Sequence, residues 1–212
     1  MRVLAPDVRR LRAFPPAAVN AYLVGDVLVD ARTSGSRRAI LRQLAGEPVR
    51  AHVVTHAHPD HFGASHGVCE ALAIPLWAGE ADAEAIETAR PRLPPGRRAS
   101  VLLRAPLPPP HPVARHLHEG DELAAGFVVL ETPGHTPGHL SLWRESDRTL
   151  IGGDVFFNLP RLGPPPALLT LDAERNRDSM LRLAELQPAL ALFGHGPPVR
   201  DPARLLRTAS RP

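Results

Sequence analysis

The chain has 212 residues, 43% of them hydrophobic, enough to bury one substantial core, so wholesale disorder is excluded and a single domain over 1–212 is expected. All 25 basic residues are arginine, yet the net charge is only +3 and the arginines are scattered without interleaved aromatics, which argues against a nucleic-acid partner. Cys69 stands alone, excluding an intramolecular disulfide and a cysteine-rich zinc finger; no leader-like or membrane-length apolar run occurs, so a soluble cytoplasmic protein without a membrane partner is expected.

In chain order, residues 17–24 and 27–30 flank the turn Gly25-Asp26 and predict a hairpin. Residues 36–44 read as a helix entered through 34–36, and 49–55 as a buried strand running into THAHPDH, residues 55–61. Residues 61–72 and 79–89 look helical, with a short strand at 75–77 between them. From 91 to 118 proline and arginine dominate, and PLPPPHP can carry neither helix nor ladder hydrogen bonds; this stretch is expected to be a surface excursion within the domain and a candidate flap on the substrate side. Strand patterning resumes at 127–131, 140–143 and 149–152. A helix at 172–186 then leads to a strand at 189–193 and a short tail helix near 202–207. Alternating strands and helices place the chain in the α/β class.

The chemistry lies at strand ends. In extended backbone His56 and His58 point to the same side and can share one cation, and Asp60 extends that row, while His61 opens the next helix and can aim at a second position. Zinc takes imidazole and carboxylate, usually four in number, so one turn cannot complete a site. Three later loops, each directly after an apolar strand, bring more: TPGHTPGH with His135, GGD with Asp154 and FGHG with His195. Glycine beside each lets backbone pass close to a metal. His52, His66, His111, His116 and His118 lack this setting and read as ordinary core or surface residues, and Cys69 as a small buried apolar one. His139 reads either as the holder of a ligand's tautomer or as the first residue of a strand. Tyr22 is a candidate hydrogen-bond donor to a substrate oxyanion at the site edge, or a core residue.

THAHPDH, followed in order by His135, Asp154 and His195, resembles the metallo-β-lactamase superfamily over residues 20–195. The resemblance implies a four-layer αβ/βα sandwich, two mixed sheets face to face with helices outside and metals at one edge. It assigns His56, His58 and His135 to one metal, Asp60, His61 and His195 to another, and Asp154 to a bridge between them. Asp30 in LVDARTSG would buttress the metal loop without binding metal. No cysteine stands at the Asp154 position, and His58 stands where flavodiiron proteins carry glutamate, so the likeness is to glyoxalase II and the broad hydrolase branch. Two zinc ions per chain are implied, with iron or manganese as alternatives.

Two divalent cations, two carboxylates and a bridging hydroxide leave such a site at about +1, which favours a developing oxyanion. The expectation is therefore a hydrolase whose metal-bridging hydroxide, oriented by Asp60 as the catalytic residue, cleaves an ester, thioester, lactone or amide-type bond in a small molecule. The chain runs seventeen residues past His195, which argues against the helical domain that glyoxalase II proteins use for glutathione. Residues 91–118 and 156–171 are the expected walls, and a homodimer is an option. The alternatives are a persulfide-dioxygenase-like oxidoreductase holding one iron through His56, His135 and Asp154, and a non-catalytic metal-binding protein.

Overall fold

A computed structural model describes residues 1–94 and 107–210. Seven strands form the first sheet in chain order: β1 (Arg2–Ala5), β2 (Val8–Arg10), β3 (Tyr22–Val24), β4 (Val27–Val29), β5 (Ala51–Val54), β6 (Leu76–Gly79) and β7 (Val113–Leu117). β1 to β4 make an antiparallel meander, and β4 to β7 run parallel. Parallel strands need crossovers; α1 (Arg37–Leu44) supplies one between β4 and β5, α2 (Pro59–Phe62) and α3 (Ser65–Leu72) lie between β5 and β6, and α4 (Glu80–Glu87) follows β6.

The second sheet collects β8 (Val128–Glu131), β9 (Leu140–Arg144) and β10 (Thr149–Ile151), then, past the small hairpin of β11 (Phe157–Asn158) and β12 (Leu162–Gly163), β13 (Leu190–Leu192). Its order is β13-β10-β9-β8, with only β13 parallel to its neighbour, reached through α5 (Ala173–Glu185). The last helix is α6 (Pro202–Ala209).

Period-two alternation sorts the core into layers. Tyr22, Val24, Val27, Val29 and Val53 of the first sheet meet Val129, Leu142, Ile151 and Leu192 of the second. On the outer face of the first sheet Leu23 and Leu28 pack on Ile40 and Leu44 of α1 and Val68 of α3. On the outer face of the second, Leu150 and Ala191 pack on Met180 and Leu183 of α5 and Leu205 of α6. Helix, sheet, sheet and helix therefore stack in the expected four-layer αβ/βα sandwich. No helix among the described residues is long and apolar enough to cross a membrane.

Three local expectations need correction. β1 and β2 were not anticipated, because RVLAPDVRR mixes apolar and charged residues on an edge where most of these side chains remain partly open. Residues 61–72 are two helices and not one: the Ala64 amide donates to the Arg32 carbonyl (3.2 Å) instead of continuing α2, and α3 restarts at Ser65. The Pro/Arg-rich excursion does not extend to 118, since β7 begins directly after Pro112, where free amides resume and pair with β6. Residues 95–106 of that stretch, and the flap expected there, lie outside the described residues.

Candidate metal centre

β5, β8, β10 and β13 deliver their following loops to one edge of the sandwich, and main-chain bonds sew those loops together. Leu140 donates to the Thr55 carbonyl (2.8 Å) across the two sheets, Gly194 to Gly153 (2.8 Å), and Asn20 to Gly194 (2.7 Å). Gly194 sits so close that any Cβ there would strike the Asp154 carboxylate and the His61 ring. Glycine is required at that position by contact, not by dihedral preference.

Side chains from these loops meet in two adjoining groups. His56, His58 and His135 are buried, with ring centroids 4.6–4.8 Å apart, and the Nε2 atom of each is buried without a hydrogen-bond partner. Asp60, His61 and His195 form the second group: the His61 and His195 Nε2 atoms are 3.3 Å apart, and Asp60 Oδ2 is 3.2 Å from His195 Nε2. Asp154 Oδ2 stands between the groups, 3.6 and 3.5 Å from Nε2 of His56 and His135 and 3.4 Å from Nε2 of both His61 and His195. Buried polar atoms are nearly always satisfied. Three imidazole nitrogens and Asp154 Oδ1 left without partners in one place are the donor set a divalent cation takes.

The second nitrogen of most rings is fastened so that Nε2 faces inward. His61 Nδ1 donates to Asp30 Oδ2 (2.8 Å), and His195 Nδ1 donates to the Ala18 carbonyl (2.5 Å). Thr55 Oγ1 donates to Asp30 and so accepts from His56 Nδ1 (3.1 Å); Thr170 Oγ1 donates to the Pro166 carbonyl and accepts from His135 Nδ1 (3.3 Å). Asp30 adopts a positive φ of 59°, tolerable for aspartate, which turns its carboxylate toward Thr55 and His61. Its carboxylate thereby ties the end of β4 to Thr55 and His61 of the loop that follows β5.

Charge separates the two groups. Burial, reinforced by neighbouring imidazoles, holds His56 and His135 well below the ordinary histidine range, and burial lowers His58 as well. Burial also opposes charging at His195, but Asp154 and Asp60 outweigh it and push this ring up to about 9. His61 is raised in the same way by Asp154, Asp30 and Asp60. Asp60, the most open member with a side chain 37% exposed, is held down at about 2 because His61 and His195 overcome its own desolvation.

His139 belongs to the support and not to the donor set. Its Nε2 accepts the Asp154 amide (2.9 Å) while Nδ1 donates to Thr132 Oγ1 (2.9 Å), a neutral tautomer that burial keeps near a pKa of about 3. Of the two readings of Tyr22 the structure takes the core one: it is buried, and its hydroxyl donates to the Phe193 carbonyl (2.7 Å), fastening the strand that delivers His195 and leaving no proton for a substrate. Phe156, expected in a wall, is core; Phe157 instead stacks on His195 with centroids 4.3 Å apart.

Two supporting residues escaped the sequence reading. Buried Asp82 accepts from the amides of Ala57 and Gly138 (both 2.8 Å) and from Thr136 Oγ1 (2.6 Å), tying the His56/His58 loop to the His135 loop. Asn20 donates to the carbonyls of Phe193 and Gly196 (both 2.9 Å), bracing the loop of His195. Asp82 sits in the regular helical pattern GEADAEAIE, where nothing local marks it. Of the histidines read as ordinary, His52 is a satisfied core residue, His118 is exposed near Glu80 and Glu131, and His66 and His111 face one another.

The sequence profile of the metallo-β-lactamase superfamily matches residues 14–195. A probable metallo-hydrolase of Bacillus subtilis (strain 168), YflN, is 33% identical over 201 residues, covering 82% of this chain and 76% of that protein. A hydroxyacylglutathione hydrolase of Bdellovibrio bacteriovorus is 28% identical over 145 residues, 66% of this chain but 46% of that protein. Among solved structures, TTHA1623 in a di-iron-bound form superposes with a TM-score of 0.72 at 31% identity, covering 95% of this chain and 98% of the other. The B3 metallo-β-lactamase BLEG-1 shares the fold, with a TM-score of 0.76 at 24% identity over 96% of this chain and 98% of the other. With its sandwich and its His/Asp clusters at one edge, this chain belongs to the metallo-β-lactamase superfamily of metallo-hydrolases.

Proposed function

We propose that the protein is a binuclear hydrolase that cleaves an ester, thioester, lactone or amide-type bond in a small molecule. His56, His58 and His135 would hold one cation and Asp60, His61 and His195 the other, with Asp154 reaching both. The observation that carries this reading is the set of buried, partnerless Nε2 atoms of His56, His58 and His135 beside Asp154 Oδ1. When bound, divalent cations supply Lewis acidity toward a carbonyl oxygen and bring the pKa of water toward about 7.

The residues of the chain do the rest. Asp60, ionised and the most open member of the set, accepts a hydrogen bond from the attacking water and aims it. Asp154 is held in place through its own amide by His139. Phe157, half-buried against His195, gives the substrate an apolar wall. Covalent catalysis by cysteine is not on offer, because Cys69 is buried and its thiol is pushed up to about 12 by that burial.

Zinc is the default metal for such a mixed imidazole and carboxylate set. Iron is the second reading, favoured by the di-iron form of TTHA1623. The hydroxyacylglutathione hydrolase likeness supports thioesters within the substrate range, while a match to under half of that protein keeps glutathione itself out of the proposal. Elemental analysis of purified protein tests the centre: it is expected to hold two metals, and replacing His195 by alanine should lower the count by one metal per chain. Loss of both, or of neither, would overturn the assignment. A screen of ester, thioester, lactone, β-lactam and phosphodiester substrates then tests the reaction; turnover of phosphodiesters alone would sink the acyl reading.

A further inference from the structure

A third group of donor side chains lies outside the centre described above and shares no residue with it. His66 and Glu70 stand one turn apart on α3, so their side chains neighbour each other on one helix face. His111, buried between Pro110 and Pro112, approaches that face from the segment leading into β7. Its Nδ1 lies 3.3 Å from His66 Nδ1, the rings meeting nearly edge to face at 76° with centroids 5.4 Å apart. One ligand atom from each of His66, Glu70 and His111 lies within 4.8 Å of the other two.

The spacing is compatible with two accounts of this pair. A hydrogen bond between the rings fits 3.3 Å as a long one, with only one of the two nitrogens protonated. Two nitrogens bound to one tetrahedral zinc at about 2.05 Å stand about 3.3 Å apart. The same 3.3 Å separates His61 and His195 Nε2 in the main centre. What favours the cation is the third residue: Glu70 brings a carboxylate oxygen within 4.8 Å of a ring nitrogen of each histidine and adds the negative charge that a cation needs.

We propose that His66, Glu70 and His111 form a second, separate divalent-cation site of zinc type, with two imidazoles, one carboxylate and an open fourth position. Such a site fastens α3, which follows directly on the THAHPDH turn and α2, to the chain entering β7.

The test is a zinc count independent of activity and of how many ions the main centre takes. Metal-stripped wild-type protein, His66→Ala, His111→Ala and Glu70→Gln are dialysed against the same micromolar free zinc and assayed by elemental analysis, with circular dichroism confirming fold. One zinc fewer per chain is expected in each histidine variant, and a zinc affinity at least about tenfold weaker for the extra ion in Glu70→Gln. Histidine ring ¹⁵N spectra should show Nδ1 of His66 and His111 shifting together as the extra ion binds. Should His111→Ala not fold, His66→Ala at a half-buried position and Glu70→Gln at an exposed one decide the matter. Equal zinc in wild type and His66→Ala, or ring nitrogens that do not respond to zinc, would overturn the site.

Discussion

β5 and the turn beyond it carry buried histidines of two kinds. His52, inside the strand, uses both ring nitrogens, Nδ1 on the Leu28 carbonyl at 3.1 Å and Nε2 on Ser65 Oγ at 2.7 Å. His56 and His58, just past the strand, are buried as deeply, yet each leaves Nε2 without a partner, as His135 does from the facing sheet. Burial and residue type are shared; what separates the two kinds is whether the protein itself completes the hydrogen bonding. A completed imidazole holds the fold together. An incomplete one costs desolvation free energy that only a ligand from outside returns.

The contrast is tested hardest by removing one histidine of each kind. His135→Ala should lower turnover by about a thousandfold or more, about 4 kcal/mol in the barrier, while metal-free stability stays within about 1 kcal/mol of wild type. Steady-state kinetics and urea unfolding of stripped protein measure the two effects. A large loss of metal-free stability would place His135 with His52 and erase the distinction.

His52 should behave in the opposite sense, and pH reveals it. Burial lowers its pKa from 6.5 to about 4, so the folded protein resists a proton that the unfolded chain accepts. Its contribution to stability is full above pH 6.5 and fades as pH falls toward 4, by up to about 3 kcal/mol. Comparing wild type with His52→Gln, both metal-free, isolates this slope from that of other groups such as His139. The variant is expected to lose stability less steeply between pH 6.5 and 4; parallel curves would show that His52 is not held neutral by the fold.

Asp60 sharpens the comparison from the solvent side, because its carboxylate is the most open of the set and serves the chemistry more than the packing. Asp60→Asn keeps the volume and removes the charge. Turnover should fall about a hundredfold and remain low when excess metal restores occupancy. Recovery to wild-type turnover at full occupancy would reduce Asp60 to a metal-holding role.

What was legible in the sequence follows the same division. The strand-end donors could be found because they fall in short loops that carry glycine or proline directly after an apolar run, and a strand end is a local pattern. The α/β class followed from the alternation of elements, and the four-layer sandwich only from the resemblance to the metallo-β-lactamase superfamily. Asp82 was hidden because its partners, Ala57, Thr136 and Gly138, come from loops distant in sequence, so its place at the hub exists only in three dimensions. The facing of His66 and His111 was hidden for the same reason, being 45 residues apart in the chain. Tyr22 was ambiguous because an early strand can present a tyrosine to the site or to the core, and only the Phe193 carbonyl decides. β7 was masked by the prolines that precede it.

His139 gives the mildest and most specific test, since it is a completed histidine placed beside incomplete ones. It touches no cation in the proposed arrangement; it accepts the Asp154 amide through Nε2 and is itself fixed by Thr132. If it acts by positioning, what matters is an acceptor at the Nε2 position and not the imidazole itself. His139→Leu removes the acceptor, leaves the buried Asp154 amide unpaired and lets the carboxylate drift, so metal affinity should weaken about tenfold. His139→Gln keeps a carbonyl oxygen at comparable reach and should recover most of that loss. Competition with a chelator gives the affinities, and turnover at saturating metal should be closer to wild type in both variants than that of Asp60→Asn. Glutamine no better than leucine would mean that the ring is needed for packing, and the positioning role of His139 would fall.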